Sequence, residues 1–142
     1  MGPGEPDVGG SEIACQSAAG LQALMETGET TSAEVTAALL ERIEAIDGAG
    51  PTLRAVLRVN AGALDEATRL DGERREGRVR GPLHGVPILL KDNIDTAGEL
   101  GATAGSLALS APAPADAALV TQLRRAGAVI LGKTNLSEWA NF

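Results

Sequence analysis

The sequence predicts an α/β protein, and three observations carry that prediction. Two short apolar runs, VPILL at 86–90 and AVIL at 128–131, have the length and aliphatic character of buried strands. Between them Asp116 opens a helical pattern over 116–126, with Leu119, Val120 and Leu123 on its apolar side and Gly127 at its end. Two continuously apolar strands joined by a helix predict a parallel pair with a right-handed crossover.

The other elements follow in chain order. Residues 1–10 are rich in Gly and Pro and are expected to be disordered. Residues 12–26 predict a helix capped by Ser11, with Ile13, Ser17, Leu21 and Leu24 on one face and Gly28 past its end. Thr31 and Glu34 form a capping box for a second helix. Its stripe is Val35, Leu39, Ile43 and Ile46, and Gly48 is expected as a left-handed cap. The alternation in TLRAVLRVN, 52–60, predicts a half-buried strand with Leu53, Ala55, Leu57 and Val59 inward and Arg54 and Arg58 outward. Asn60 can cap a helix running to about Arg75, and EGRVRGP reads as a turn. Residues 92–115 predict a long loop of Gly, Ala, Ser and Pro, with a short helix near Ser106–Leu109. A loop of that length in a compact domain points to function.

Composition narrows the function classes. The 142 residues suffice for one domain with an aliphatic core, since there is one Trp, one Phe and no Tyr. A net charge of −7 repels phosphate backbones, and few aromatic rings are available for base stacking, which argues against nucleic acid as a direct partner. Cys15 is the sole cysteine, so no internal disulfide can form, and it reads as a buried or half-buried thiol. MGPGEPDVGG has neither a basic nor an apolar leader segment, and no run reaches the roughly 18 apolar residues of a membrane span. A cytoplasmic location without membrane contact is expected.

Several motifs reduce to structure. GAVILGKT, 127–134, fits the phosphate-loop pattern, but its central residues are themselves the apolar strand, whose N–H groups belong to a sheet ladder. His84 has no second His or Cys at ligand spacing and reads as a structural histidine, so neither a metal nor a cofactor is expected. Trp139 is expected to pack a helix against the sheet, and the charges of GERREG to form a solvated face.

Lys91 is the candidate catalytic residue. It follows the apolar run 86–90, at the sheet edge where open parallel sheets place their sites, and Lys133 stands just past the other strand. A lysine acts as a base only when neutral, which at pH 7 costs about 4 to 5 kcal/mol unless burial lowers its pKa. The apolar approach predicts that burial, and Asp92 and Asn93 can fix the following turn.

GPLHGVPILLKDNIDTAG, then TAGS at 103–106, then GAVILGKTNLSEWANF resemble the N-terminal third of the amidase signature family in order and spacing. TSAEVTAALLERIEAID and LDGERREGRVRGPLHG are also similar, so the resemblance covers about residues 11–142, as an incomplete amidase domain. It implies an α/β/α sandwich with a mixed, partly parallel sheet. It also implies amide hydrolysis by a Ser–cis-Ser–Lys triad in which Lys91 takes a proton from the bridging serine. Both family serines lie in a Gly/Ser-rich stretch downstream of the segment ending SEWANF, and no such stretch occurs in these residues. Ser106, Ser110 and Ser137 are not in that motif.

The resemblance therefore implies the N-terminal piece of an amidase acting on small-molecule or peptide amides, inactive alone. Two alternatives stand beside it. One is the amidase subunit of the glutamyl-tRNA(Gln) amidotransferase, expected to carry a Glu/Asp-Phe-Ala-Met-like stretch where Ser137–Phe142 stands. The other is a catalytically dead fragment.

Overall fold

The computed structural model describes residues 9–109 and 111–140. Helices α1 (Gly9–Ala14), α2 (Ala18–Thr27) and α3 (Ser32–Arg42) lead to strand β1 (Val56–Val59) and helix α4 (Ala63–Arg75). Strand β2 (Pro87–Lys91), helix α5 (Ala118–Arg125) and strand β3 (Val129–Thr134) complete the order. The sheet order is β1-β3-β2, with β2 parallel and β1 antiparallel to β3. The sheet is thus mixed and partly parallel, and the predicted β-α-β unit is present.

Three apolar clusters make the layers. On one face α4 places Ala63, Ala67 and Leu70 against Val129 and Leu131, with Leu39 and Leu40 of α3 beside them. On the other face α5 packs Val120 and Leu123 against Leu90 and Ile130. Leu21 and Met25 of α2 meet Val35 and Val86. An α/β/α arrangement results. Fully burying an aliphatic side chain of this kind contributes about 1.5–3 kcal/mol.

Local rules account for most boundaries. The Thr31 hydroxyl accepts from Glu34 N at 3.1 Å while the Glu34 carboxylate accepts from Thr31 N at 2.9 Å, the expected capping box. The predicted helix over 12–26 is instead two helices, because Ser17 turns its hydroxyl to Gly20 N and starts α2 afresh. Residues 1–8 of the predicted disordered segment lie outside the described residues, and Gly9 and Gly10 open α1. Gly48 is not a left-handed cap: α3 runs into a π-helical turn over Ile43–Gly48, and the cap is Ala49. Asp116 does not cap α5, since its carboxylate accepts from Ala97 N and pairs with Arg124, so it ties the long loop to the helix. Turns replace the short helix expected near Ser106–Leu109: Ser106 N closes one onto Thr103 O and Leu109 N closes the next onto Ser106 O.

In β1 the alternation is right and the faces are reversed. Leu57 and Val59 are exposed, and Val56 and Arg58 turn inward. Trp139 is 59% exposed and packs no helix against the sheet, and Cys15 is exposed rather than buried. The GERREG charges are only partly a solvated face: Glu73 receives Arg69 and Arg80, and Arg74 reaches Gln22 and the His84 carbonyl. The Arg80 hydrogen bond holds the Glu73 carboxyl below the usual range. No helix among the described residues is long and apolar enough to cross a membrane.

Candidate active site

The site lies where β2 and β3 end side by side. Register pairs Leu90 with Lys133 and Lys91 with Thr134, so both lysines reach the same edge of the sheet. What differs is the face on which each emerges. Residues alternate along β2, so Lys91 shares a face with Leu89, and both are exposed. The expected burial of Lys91 is therefore absent: among the described residues β2 has no further strand beyond it, and the apolar approach that precedes Lys91 does not cover it. Among the described residues no carboxylate pairs with its amine.

Lys133 is the buried one. Strict alternation from Val129 and Leu131 would place it on the α4 face. The β2–β3 register slips between Ile88 and Leu89, so that Ile130 pairs with Ile88 and Gly132 with Leu89. This bulge turns Lys133 to the Leu90 face, where its side chain is 0% exposed. Its amine donates to Ile94 O and, at 2.9 Å, to Thr96 Oγ1. Burial pushes the Lys133 ammonium below the ordinary lysine range, against the opposing pull of the Asp92 carboxylate. Gly132 makes the bulge possible, since a Cβ there would stand 2.3 Å from Arg58 O.

Asp92, next to Lys91, is the hub of the strand ends. It is fully buried, and its Oδ1 receives Arg58 Nη2 at 2.6 Å. Its Oδ2 accepts from the Thr103 hydroxyl and from Thr103 N. Its carbonyl accepts from Thr103 N at 3.1 Å and Ala104 N at 3.0 Å, and its own N–H donates to Thr134 O at 3.1 Å. The turn expected of Asp92 and Asn93 is present, closed by Ile94 N on Lys91 O at 3.0 Å. One residue thus joins β1, the end of β2, the end of β3 and the TAGS segment: its carboxylate holds Arg58 and Thr103, and its N–H holds Thr134 O. Sequence reading missed Arg58 because it placed that residue in solvent, and it gave Lys133 no structural task. The signal was Gly132, a glycine inside an apolar strand.

The remaining candidates are structural. His84 donates from Nε2 to Leu70 O of α4 at 2.9 Å and accepts at Nδ1 from Arg80 N of the following loop at 3.2 Å, so it bonds backbone on both ring nitrogens. Residues 129–131 of the phosphate-loop pattern lie in β3, so their N–H groups are not free to wrap a phosphate. Ser106 is buried in the turn, Ser137 is exposed, and Ser110 lies outside the described residues. Among the described residues no group of three or more His, Cys, Asp or Glu could hold a metal ion.

Comparison with known proteins agrees with this architecture. The amidase family pattern matches residues 34–142. A solved peptide amidase from Stenotrophomonas maltophilia is 58% identical with a TM-score of 0.87, over 91% of this chain and 26% of its own. An amidase family protein from Bacillus anthracis is 37% identical with a TM-score of 0.88, over 95% of this chain and 27% of its own. A glutamyl-tRNA(Gln) amidotransferase subunit from Salinispora arenicola is 44% identical over 132 residues, 92% of this chain and 26% of its own. The chain belongs to the amidase signature family. It spans about a quarter of the length of these relatives.

Proposed function

We propose that residues 11–142 form the N-terminal part of an amidase domain that hydrolyses carboxamide C–N bonds, and that Lys91 is its base. In this reading neutral Lys91 takes a proton from a bridging serine held on a cis peptide. That serine takes one from a nucleophilic serine, whose oxygen attacks the amide carbonyl. The C–N bond breaks, the relayed proton leaves with the ammonia or amine, and water hydrolyses the acyl-enzyme. The 142 residues contain no Gly-Gly-Ser-Ser stretch, so both serines would come from the three quarters of a relative's length that this chain does not span. The same part would cover β2 and supply the desolvation that Lys91 lacks here.

The observation that carries the reading is the 58% identity to the peptide amidase over 91% of this chain. It favours a small-molecule or peptide amide as substrate. The geometry adds a reason to choose Lys91 over Lys133. The Lys133 amine is enclosed and engaged by Ile94 and Thr96, whereas Lys91 stands on an open edge that a partner segment and a substrate can approach.

The 44% identity to the Salinispora arenicola amidotransferase protein over 92% of the chain supports a second reading, in which the released ammonia passes to a partner protein. The Ser137–Phe142 stretch, SEWANF, lacks the Phe-Ala-Met-like ending expected of that enzyme, and the peptide amidase reading stands ahead.

The test is a chimera in which residues 11–142 replace the matching quarter of the Stenotrophomonas maltophilia peptide amidase. A fluorophosphonate probe is expected to label the chimera at a serine outside residues 11–142 and to leave the 142-residue chain unlabelled. A folded chimera that neither labels nor hydrolyses peptide amides would refute the reading. Labelling of a serine within the 142 residues would refute the absence of the nucleophile from them.

A further inference from the structure

We propose that Arg58 is a positioning residue: clamped on the buried Asp92 carboxylate, it fixes the 103–104 turn against the strand end that carries Lys91. Its catalytic consequence rests on the amide-hydrolysis reading above; its structural part does not.

Three observations carry it. The first is the way Arg58 is aimed. The β1–β3 register slips between Val56 and Arg58, which pairs Arg58 with Lys133, and the unbroken alternation along β1 puts Arg58 on the inward side with Val56. Gly132 on β3 lets the β1 backbone approach closely there, which brings Arg58 to the strand ends. Two bulges on neighbouring strands, one under Arg58 and one under Lys133, therefore shape this one place.

The second is that Asp92 has no polar atom to spare. Its two carboxylate oxygens, its carbonyl and its N–H are all engaged, and among these partners Arg58 is the only charged one. A carboxylate with 0% exposure needs a partner to stay in place. Remove the guanidinium, and the carboxylate gains by moving toward water, away from Thr103.

The third is what the turn itself holds. Thr103 and Ala104 donate to the Asp92 carbonyl, and Ala104 O accepts from Trp139 N at 2.6 Å. The segment after β3 thus hangs on the same turn. A displaced Asp92 would loosen the two stretches that flank the lysine end of β2, with no change in Lys91 itself.

Two measurements test the proposal, one of which needs no activity. In the 142-residue chain, amide hydrogen exchange followed by NMR is compared for the parent, Arg58→Met and Arg58→Lys. Arg58→Met is expected to speed exchange at Thr103 and Ala104 at least tenfold while the amides within α4 and α5 keep their rates. Arg58→Lys, which retains the charge, is expected to recover most of the loss. In the chimera described above, Arg58→Met is expected to lower kcat at least tenfold with KM within twofold, again recovered by Arg58→Lys. Unchanged exchange at 103–104 overturns the clamp. Faster exchange with unchanged kcat overturns the positioning role. If Arg58→Met does not fold, Asp92→Asn takes its place with the same expectations, and intact exchange at 103–104 in that variant overturns the clamp. A chimera inactive even with Arg58 counts against the amide reading alone, because the exchange measurement still decides the clamp.

Discussion

The Arg58 guanidinium meets the Asp92 carboxylate at 2.6 Å, with Asp92 wholly buried and the Arg58 side chain 35% exposed. This asymmetry sets the energetics. The arginine keeps part of its hydration, while the carboxylate depends on its protein partners. Removing one member of such a pair leaves a buried charge unpaired, which costs about 3 kcal/mol or more.

A double-mutant cycle follows from that pair. Arg58→Met is expected to destabilise the chain by about 3 kcal/mol, and Asp92→Asn by about 1.5–3 kcal/mol. The double variant should lose at least about 1 kcal/mol less than the sum, because the second change removes the charge that the first stranded. Chemical denaturation of the four proteins measures it. Strict additivity would mean that the two side chains do not depend on each other.

Lys133 predicts a pH dependence of stability. Its pKa is depressed in the folded chain and returns to about the ordinary 10.5 on unfolding. Between those values the unfolded chain binds more protons, so this contribution to stability rises with pH. Below the folded pKa the penalty of the buried ammonium is fully present; above 10.5 it is gone. Lys133→Met removes the titrating group. Denaturation curves taken from neutral pH toward pH 10.5 should therefore show the parent gaining stability relative to Lys133→Met. A constant difference across that range would mean that Lys133 is not a buried ammonium. With only two lysines in the chain, Lys91 and Lys133, selective 13C labelling resolves the titration directly.

Gly127 is a sensitive point of the fold. Its φ is +83°, and a Cβ there would lie 2.9 Å from both Cα and Nδ1 of His84. His84 is itself locked between Leu70 O and Arg80 N and cannot give way. Gly127→Ala is expected to cost at least about 2 kcal/mol, from left-handed strain plus overpacking. A midpoint shift smaller than that of Gly28→Ala would contradict this, since Gly28 also has positive φ but no atom within 4 Å of its Cβ position.

How much of this is legible in the sequence depends on whether the signal is local. The capping box at Thr31 and Glu34, the α5 crossover and the parallel pairing of β2 with β3 rest on short-range patterns, and all are present. Composition cannot say which strand lies at an edge, so Lys91 reads as buried in the sequence and is exposed in the fold. Period-two alternation holds along β1 but does not say which face turns inward, and in β3 a bulge breaks it. The inward face of β1 carries Arg58 and the β3 slip moves Lys133 to the Leu90 face, so the strand-end cluster cannot be drawn from spacing. Ser17 shows the same limit at a smaller scale, where one hydroxyl bonded to Gly20 N divides a predicted helix in two.

The central claim is that, of two lysines ending neighbouring parallel strands, Lys91 is the base and Lys133 is structural. The most direct measurement is kcat and KM for peptide amide hydrolysis by the Stenotrophomonas maltophilia chimera carrying Lys91→Ala or Lys133→Ala. Losing general-base catalysis removes roughly 10²–10⁴-fold in rate. The account predicts a fall in kcat of about 10³-fold or more for Lys91→Ala with KM little changed, because proton transfer goes and contacts stay. For Lys133→Ala it predicts a far smaller fall, accompanied by lost thermal stability. A Lys91→Ala chimera that keeps kcat within tenfold of its parent, or a Lys133→Ala chimera that loses as much at full stability, would contradict it.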